Sequence, residues 1–258
     1  MPTVHVHLVR HGQSTWNQEG RLQGQTVHPP LTERGRRQAS AAAATVASLV
    51  DGPAVLWSSD LVRAAMTASV IGTHIALPVH HDEALREQSL GRLERRLSRD
   101  LRPEPTPLGE HIGDIRWGRG ESTSDIHRRV GRFLTRELVD PPSWVRRRPR
   151  HLVLVSHGDT IRVAQAWLHG RSYRDLDWSE LPNGCLTSVT VPQSGRGVRQ
   201  LREGGITSLV TWAPVGSRWP SSLRRPCELA MTVWAMCVVR AASAAWTPLD
   251  SPSRSRSR

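Results

Sequence analysis

Histidine, arginine and serine side chains follow three of the strands that the sequence predicts. Arg10-His11-Gly12 comes directly after the first predicted strand, and Ser58-Ser59-Asp60, with Arg63 close behind, comes after the second. Ser156-His157-Gly158-Asp159 follows a later buried strand. Because the carboxyl ends of parallel strands lie along one edge of a sheet, where ligands bind, these side chains should converge there. The sequence therefore predicts one site that contains two histidines and two arginines.

A site of this composition favours an anion over a metal ion. An arginine fork binds two phosphate oxygens at once, and a neutral imidazole forms a phosphoramidate that water can later open. The surrounding cations should lower the pKa of His11 from its usual value of about 6.5 and keep the ring neutral. Gly12 would let the backbone turn sharply beside a phosphate. The predicted chemistry is therefore phosphoryl transfer to His11.

A metal pair at His5 and His7 is the alternative use of the first strand, because strand alternation places both side chains on one face. No third ligand is evident in the sequence, so we interpret both histidines as packed or half-exposed side chains. His80-His81 is interpreted as a surface pair at the end of a strand.

The elements that must position these residues alternate between strand and helix. Apolar and β-branched runs predict strands, and periodic runs with a cap such as Thr32 predict helices. We expect strands over residues 4–9, 53–57, 77–80, 151–155 and 186–191, and helices over residues 31–50, 61–75, 127–138 and 160–168. This alternation predicts an α/β fold with three layers, α/β/α, around a mainly parallel central sheet.

Residues 98–124 are rich in proline, glycine and charge, which predicts a long loop with short helices. A loop over the edge of the sheet is the usual place for a lid that selects the substrate. The candidates in this segment for reading a second acidic group are Arg99, Arg102, His111, Arg116 and Arg119.

The charge of the chain does not indicate a nucleic-acid partner. The 258 residues carry a formal net charge of +12, and all 35 cationic residues are arginines. They are scattered rather than arranged in a stripe, and the densest run, Arg146-Arg147-Arg148-Pro149-Arg150, lies beside prolines. A solvated loop explains that run, so no nucleic acid is expected as a partner.

Apolar runs and cysteines indicate the compartment. The longest apolar run, residues 229–239, is about half the length that spans a bilayer, so no membrane association is expected. The first residues lack the basic start and apolar stretch of a signal peptide. Three cysteines without a C-x-x-C pair favour a reducing compartment. We therefore expect a cytoplasmic protein.

The composition changes at about residue 205. Residues 1–204 predict one domain that carries all the candidate site residues. Residues 205–258 hold only two acids, Glu228 and Asp250, and end in alternating serines and arginines. Low complexity of this kind predicts an atypical, largely disordered C-terminal extension, which we expect to be dispensable.

Several segments between residues 1 and 191 resemble the ordered motifs of a known family. They are Leu8-Val9-Arg10-His11-Gly12-Gln13-Ser14-Thr15-Trp16-Asn17, Leu31-Thr32-Glu33-Arg34-Gly35, Ser58-Ser59-Asp60-Leu61-Val62-Arg63-Ala64, Leu85-Arg86-Glu87, Gly120-Glu121-Ser122, Val155-Ser156-His157-Gly158 and Pro182-Asn183-Gly184. The set is similar to the histidine phosphatase superfamily, also called phosphoglycerate-mutase-like. One arginine-histidine-glycine triplet is weak evidence, whereas the ordered set is strong.

The resemblance implies a role for each matching residue. His11 would be the nucleophile that takes up the phosphoryl group, and Glu87 would protonate the leaving oxygen and later activate water. The phosphoryl oxygens would be held by Arg10, Asn17, Arg63 and His157, with His157 also counted as catalytic. Arginines can neutralise the transferred charge without a metal ion. The resemblance thus implies a small phosphorylated substrate and no cofactor, and it leaves a homodimer open.

The acid segment holds the least certain assignment. Glu83 and Glu94 compete with Glu87 for the role of proton donor. Arg95 and Arg96 stand where the family usually has a small residue, so the resemblance implies the phosphate pocket but not the local turn or the entrance of the lid.

Two elements typical of true phosphoglycerate mutases are missing from the chain. One is a tryptophan-arginine-arginine element, and the other is a glutamate-arginine-histidine-tyrosine stretch at the acid, where this chain has Leu85-Arg86-Glu87-Gln88-Ser89-Leu90-Gly91. We therefore expect a metal-independent phosphomonoesterase that acts through a phosphohistidine. A phosphoglycerate mutase and a non-catalytic phosphate-binding module are the alternatives.

Overall fold

The computed structural model describes residues 3–102, 106–139, 149–192 and 208–209. The strands are Thr3–Arg10 (β1), Ala54–Ser58 (β2), Val79–His81 (β3), His151–Ser156 (β4), Leu186–Pro192 (β5) and Ser208–Leu209 (β6). The helices are Thr15–Glu19 (α1), Glu33–Leu49 (α2), Val62–Ile75 (α3), Thr123–Val139 (α4) and Gly158–Leu168 (α5). Every predicted strand and helix is present, and α1 and β6 occur in addition.

The strands form one mixed sheet in the order β3-β2-β4-β1-β5-β6. β1 pairs in parallel with β4, and β2 pairs in parallel with β4 and β3, whereas β5 and β6 are antiparallel. The carboxyl ends of β1, β2 and β4 therefore lie along one edge of the sheet. This confirms the mainly parallel sheet on which the predicted convergence depends.

Helices cover both faces of the sheet. Val6 and Leu8 of β1 pack in a core that includes Phe133 of α4 and Ile161 of α5. Val9 points to the opposite face and packs in a second core with residues of α2 and α3. Since strand side chains alternate between faces, a central strand that is apolar at nearly every position is buried on both sides. The predicted three-layer α/β/α architecture is confirmed.

The helix α2 begins where its cap was predicted. The hydroxyl of Thr32 accepts a hydrogen bond from the backbone N–H of Gly35 at 3.0 Å, which satisfies one of the free donors of the first turn. Buried alanines then bring α2 close to α3, because a methyl group lets two helix backbones approach. The contributing residues are Ala39, Ala42 and Ala43 on α2 and Ala64 and Ala68 on α3.

The helix α4 begins at Thr123, a full turn before the predicted start at residue 127. The backbone N–H of Asp125 donates to the Ser122 hydroxyl at 3.2 Å, and the Asp125 carboxylate accepts from the Ser122 N–H at 3.0 Å. This reciprocal capping exchange starts the helix before its apolar face begins. The prediction missed it because it followed the apolar periodicity alone.

The middle segment is a loop with short 3-10 turns, as predicted. Within residues 98–124 these turns cover Ser98–Asp100, Ile112–Asp114 and Trp117–Arg119. The chain just before them, at Leu97, bridges to Arg21, so the segment starts beside residues 20–24.

The histidines of β1 are packed side chains, as the sequence reading favoured. His7 is 3% exposed, and its ring bonds to Ser188 Oγ at 2.8 Å and to His151 Nδ1 at 3.0 Å. The His5 ring bonds to Thr190 Oγ1 at 3.1 Å and stacks on His151. Both ring nitrogens of His7 are therefore engaged by neighbouring side chains. Among the described residues, no three His, Cys, Asp or Glu side chains are placed to hold a metal ion.

Most of the predicted C-terminal extension lies outside the described residues. The exception is β6, Ser208–Leu209, which pairs with Ser188 and Val189 of β5. The boundary between residues 204 and 205 thus stays a prediction, although two residues beyond it join the sheet. In the described parts of the chain, the helices are too short or too polar to cross a bilayer.

Candidate active site

The predicted site residues meet at the carboxyl edge of the sheet. His11 directly follows β1, Arg63 lies in the first turn of α3, and His157 caps the start of α5. A cleft with an empty volume of about 580 Å³ is lined by residues that include Arg10, His11, Asn17, Arg63 and Glu87. The ring of His157 lies edge-on to that of His11, with 5.0 Å between the ring centroids.

The His11 ring is oriented and neutral. It is 2% exposed, and Nδ1 lies 2.7 Å from the carbonyl oxygen of Gly12. Because a carbonyl only accepts, Nδ1 carries the proton and Nε2 keeps the lone pair. Burial holds the pKa of His11 well below its usual value, and the cations of Arg63 and Arg10 lower it further. The sequence predicted a lowered pKa for His11 from the surrounding cations alone, but burial is the larger cause.

Backbone carbonyls of the loop between α1 and α2 hold the side chain of Arg63. Its side chain is 1% exposed and donates from Nη1 to the Thr26 carbonyl at 2.9 Å and from Nη2 to the Gly24 carbonyl at 2.8 Å. Burial lowers the pKa of Arg63 to about 10, so the guanidinium stays charged near neutral pH. Arg10 is held in a similar way, by donation to the carbonyl of Leu181.

Three buried nitrogens around the cleft bond to no other group among the described residues. They are Nε of Arg10, Nε of Arg63 and Nδ1 of His157. Buried polar groups are almost always hydrogen-bonded, so unpartnered nitrogens beside a cleft indicate a ligand that supplies acceptors. With two guanidinium groups present, that ligand is an anion.

His157 is fixed from the opposite side of its ring. Its Nε2 lies 2.9 Å from the hydroxyl of Ser59, and the side chain is fully buried. Burial, followed by the charges of Arg63 and His11, holds its pKa well below the usual value. Ser59 belonged to a motif quoted from the sequence, but its contact with His157 was not foreseen, since the two residues lie far apart in the chain.

The Glu87 carboxyl lies beside the start of α5. Its oxygens are 3.4 Å from the N–H of Thr160, 3.5 Å from that of Asp159 and 2.9 Å from that of Gln88. Burial raises the pKa of Glu87, and the charge of Asp159 raises it further. The protein itself therefore supplies the raised pKa that a proton donor needs. A carboxyl of this kind can carry the proton that a leaving oxygen needs.

The two competing acids have other partners. Glu83 is exposed and forms an ion pair with Arg86 at 3.0 Å. Glu94 accepts from the backbone N–H groups of Gln25 at 3.0 Å and of Leu90 at 3.1 Å. Both acids are therefore engaged away from His11, and only Glu87 of the three lines the cleft.

A scan against family models matches residues 6–203 to the histidine phosphatase superfamily, branch 1. The chain belongs to the histidine phosphatase superfamily. It is 36% identical over 195 residues to the probable phosphoglycerate mutase GpmB of Yersinia pestis, which covers 74% of this chain and 86% of the relative. The resemblance that the sequence motifs carried is thereby confirmed.

Solved structures show the same fold. The structure titled mycobacterial hydrolase 1 superposes with a TM-score of 0.64 at 26% identity, over 81% of this chain and 98% of that chain. A mycobacterial glucosyl-3-phosphoglycerate phosphatase superposes with a TM-score of 0.59 at 27% identity, over 73% and 91%. Proteins similar to this chain thus include some that are named as mutases and others that are named as phosphatases.

Asn17 lines the cleft, and its contacts show how it is oriented. Its amide oxygen accepts from the Ser14 N–H at 3.1 Å and from the Asn183 amide at 3.2 Å. Asn183 also donates to the carbonyl of His11 at 3.1 Å. In the sequence, Asn183 belonged to a family-like motif but had no role in the site. Its amide links the backbone of the nucleophile to the side chain of Asn17.

Gly12 is required for a reason that differs from the predicted sharp turn. A Cβ at this position would lie 2.2 Å from the carbonyl oxygen of Gly35. The backbone after the nucleophile therefore packs directly against the first turn of α2. The Gly12 N–H donates to the Thr67 hydroxyl at 3.1 Å, which fixes the same peptide to α3.

The five lid side chains proposed to read a second acidic group do not line the cleft formed by the described residues. Arg116 instead pairs with Asp125 at 2.9 Å, and Arg99 lies 3.8 Å from Asp100. The cleft is lined instead by residues 20–24, which include Arg21, and by Leu90 and Ser98.

Proposed function

We propose that this chain is a phosphomonoesterase that acts on a small phosphorylated metabolite through a phosphohistidine, with no metal ion required. One observation carries the proposal: the buried, neutral His11 lies in a cleft together with Arg10 and Arg63, whose Nε atoms are buried and unpartnered. An anion bound there would bring a phosphorus atom to the nucleophile, with the arginines neutralising its oxygens.

In the first step, Nε2 of His11 attacks the phosphorus atom and forms the N–P bond. The bond from phosphorus to the ester oxygen breaks, and its electron pair goes to that oxygen. The oxygen takes the proton of Glu87 and leaves as an alcohol. During this transfer the three phosphoryl oxygens are held by Arg10, Arg63 and His157, with Asn17 helping. These groups stabilise the negative charge on the oxygens.

In the second step, a water molecule attacks the phosphorus atom of the phosphohistidine. The Glu87 carboxylate accepts the proton of this water, and the N–P bond breaks with its electron pair returning to Nε2. Inorganic phosphate leaves, and both His11 and Glu87 return to their starting protonation states.

The test is phosphate release over a panel of phosphomonoesters, by the chain and by a His11→Ala variant. We expect release by the chain, unchanged by a chelator, and a loss of at least about 10³-fold in the variant because the covalent path is removed. His74→Ala, at an exposed histidine on α3, is the matched control and should keep full activity. Equal release by the chain and His11→Ala would refute the proposal. Phosphate binding without turnover would support a non-catalytic module.

A phosphoglycerate mutase is the second candidate, because relatives of this chain carry that name. A mutase returns the phosphoryl group from His11 to the substrate, whereas a phosphatase gives it to water. The two are separated by comparing interconversion of 2- and 3-phosphoglycerate with phosphate release. Interconversion faster than release would favour the mutase over our proposal.

A further inference from the structure

The backbone of the acid segment is held by an arginine that neither proposed step uses. Arg129 on α4 donates from Nη2 to the carbonyl oxygen of Glu87 at 3.0 Å and from Nη1 to that of Ala84 at 2.7 Å. Its Nε and Nη2 also bond to the two carboxylate oxygens of Glu121 at 2.9 and 3.0 Å. A two-point pair of this kind fixes orientation as well as distance.

Glu121 holds the same segment on its other side. Its carboxylate accepts from the backbone N–H of Ser89 at 3.0 Å, and its own N–H donates to the Ser89 carbonyl at 2.8 Å. The Gln88 side chain donates to the Glu121 carbonyl at 2.7 Å. The residues that flank Glu87 are thus tied to the end of the middle loop, where α4 begins.

A shared loop links this support to the phosphate site. The Gln25 amide donates to the Glu87 carbonyl and to the Glu121 carboxylate, both at 3.1 Å. Its neighbours Gly24 and Thr26 supply the carbonyls that hold Arg63. The acid and the phosphate-binding arginine are therefore held by one piece of backbone, which sets their separation.

We infer that Glu121 and Arg129 are positioning residues for Glu87, which set the place of its carboxyl relative to the leaving oxygen. Neither lines the cleft, and their side chains are only 22% and 13% exposed, so they act through the Glu87 backbone and not on the substrate. Proton transfer requires the donor within hydrogen-bond reach of its acceptor, so a small displacement of Glu87 weakens it. The inference rests on the proposed function, since it assigns a support to the proton donor.

The test compares two substrates that differ in their need for a proton donor. An alkyl phosphate releases a strongly basic alkoxide that must be protonated, whereas 4-nitrophenyl phosphate releases a stable phenolate that needs little help. Glu87→Gln provides the reference, because it removes the proton donor. It should lower kcat/KM for the alkyl substrate by a factor roughly 10²- to 10⁴-fold larger than for the aryl substrate.

The variants are Glu121→Ala, the milder Glu121→Gln, and Arg129→Lys, which cannot serve all the acceptors of a guanidinium fork. We expect each to lower kcat/KM, which reports the steps up to departure of the leaving oxygen, by roughly tenfold or more for the alkyl phosphate and by no more than about threefold for the aryl phosphate. Arg132→Lys, at an exposed position of the same helix, is the matched control and should change neither rate.

Equal losses on both substrates, or no loss on either, would overturn the positioning role. A variant that is partly unfolded also loses both rates equally, so the ratio of the two losses separates positioning from stability. An inactive wild-type chain would contradict the proposed function and this role together, whereas an active chain with equal losses would contradict the role alone.

Discussion

The lone pair on Nε2 of His11 is set by a single contact, the hydrogen bond from Nδ1 to the Gly12 carbonyl. Burial then keeps the ring neutral, and burial also raises the pKa of Glu87 in the same cleft. The same physical effect therefore prepares a neutral base and a neutral acid, because desolvation penalises whichever form is charged. At His11 the cations of Arg63 and Arg10 lower the pKa along with burial. At Glu87 the charge of Asp159 adds to the effect of burial, whereas Arg63 and Arg10 oppose it.

We predict a pH profile for an alkyl phosphate that is controlled by these two residues. Glu87 must be protonated to serve as the acid, so kcat/KM should fall as pH rises through its raised pKa. His11 is neutral down to pH values well below its usual pKa, so the ascending limb of the profile should lie at low pH. The measurement is kcat/KM against pH for the chain and for Glu87→Gln. If the descending limb lay at the same pH in the chain and in Glu87→Gln, the assignment of Glu87 as the acid would be contradicted.

A second prediction concerns stability and the His7 ring. Burial, with His151 and His5, lowers the pKa of His7 to about 4 from 6.5. The unfolded chain therefore binds the proton first as pH falls, so the contribution of His7 to stability is present above about pH 6.5 and is lost toward pH 4. The loss should reach about 2 kcal/mol between about pH 7.5 and pH 5.

Urea unfolding of the chain and of His7→Gln at both pH values measures this loss, because His11 and His157 also contribute to the pH difference of the chain itself. His7→Gln should reduce the difference between the two pH values, whatever its effect on absolute stability. His81→Gln, at an exposed histidine, should leave the difference unchanged. A full pH difference in His7→Gln would show that another group is responsible.

At the scale of elements, the residue at which a helix ends determines the course of the loop that leads to the site. The loop after α3 leads through β3 to the acid segment, and it starts at Ala76, which has a φ of 54°. A left-handed conformation strains any residue with a Cβ, and helices commonly end in a glycine for this reason. The Ala76 N–H also donates to the Gly72 carbonyl, which fixes the conformation.

We predict that Ala76→Gly stabilises the protein by about 1 kcal/mol, because it removes the strain at this exposed cap. Ala44→Gly, at an exposed position inside α2, is the matched control and should destabilise by about 0.5–1 kcal/mol. The midpoint of thermal or urea unfolding measures both changes. Destabilisation by both substitutions would show that the cap is not strained.

The departure of Arg95 from the family pattern has the same physical basis. Arg95 has a φ of 73°, so the small residue that the family usually has near this position meets a backbone requirement. In this chain the Arg95 N–H donates to the Leu22 carbonyl at 2.8 Å, which holds the turn. The resemblance identified the position, and the backbone explains why a small residue is usual there.

At the scale of the whole molecule, two cores on opposite faces of the sheet hold the site. The cleft residues lie between Arg10 and Asp159, and the last members of both cores among the described residues lie on β5. We therefore predict that a chain ending at residue 210, which retains β6, keeps the proposed phosphatase activity and the melting temperature of the full chain. Activity assays and calorimetry check this. Loss of activity or of the folding transition would show that residues 211–258 belong to the domain.

The sequence by itself determined the order of the motifs, the alternation of strands and helices, and the identity of Arg10, His11, Arg63 and His157 as neighbours, whereas Glu87 was implied only by the family resemblance. These follow from local properties: side-chain periodicity, caps and the rule that parallel strands end along one edge. The short helix α1 was not predicted, because five residues are too few to show a helical periodicity.

Only the tertiary structure decided which acid faces the nucleophile, why Gly12 is required, and that burial is the main cause of the shifted pKa values. It also revealed the contacts of Glu121 and Arg129 with the backbone around Glu87. Each of these depends on atoms that are distant in the chain and adjacent in space. Burial and close approach are properties of the packed chain, whereas a sequence pattern reports only on neighbours along it.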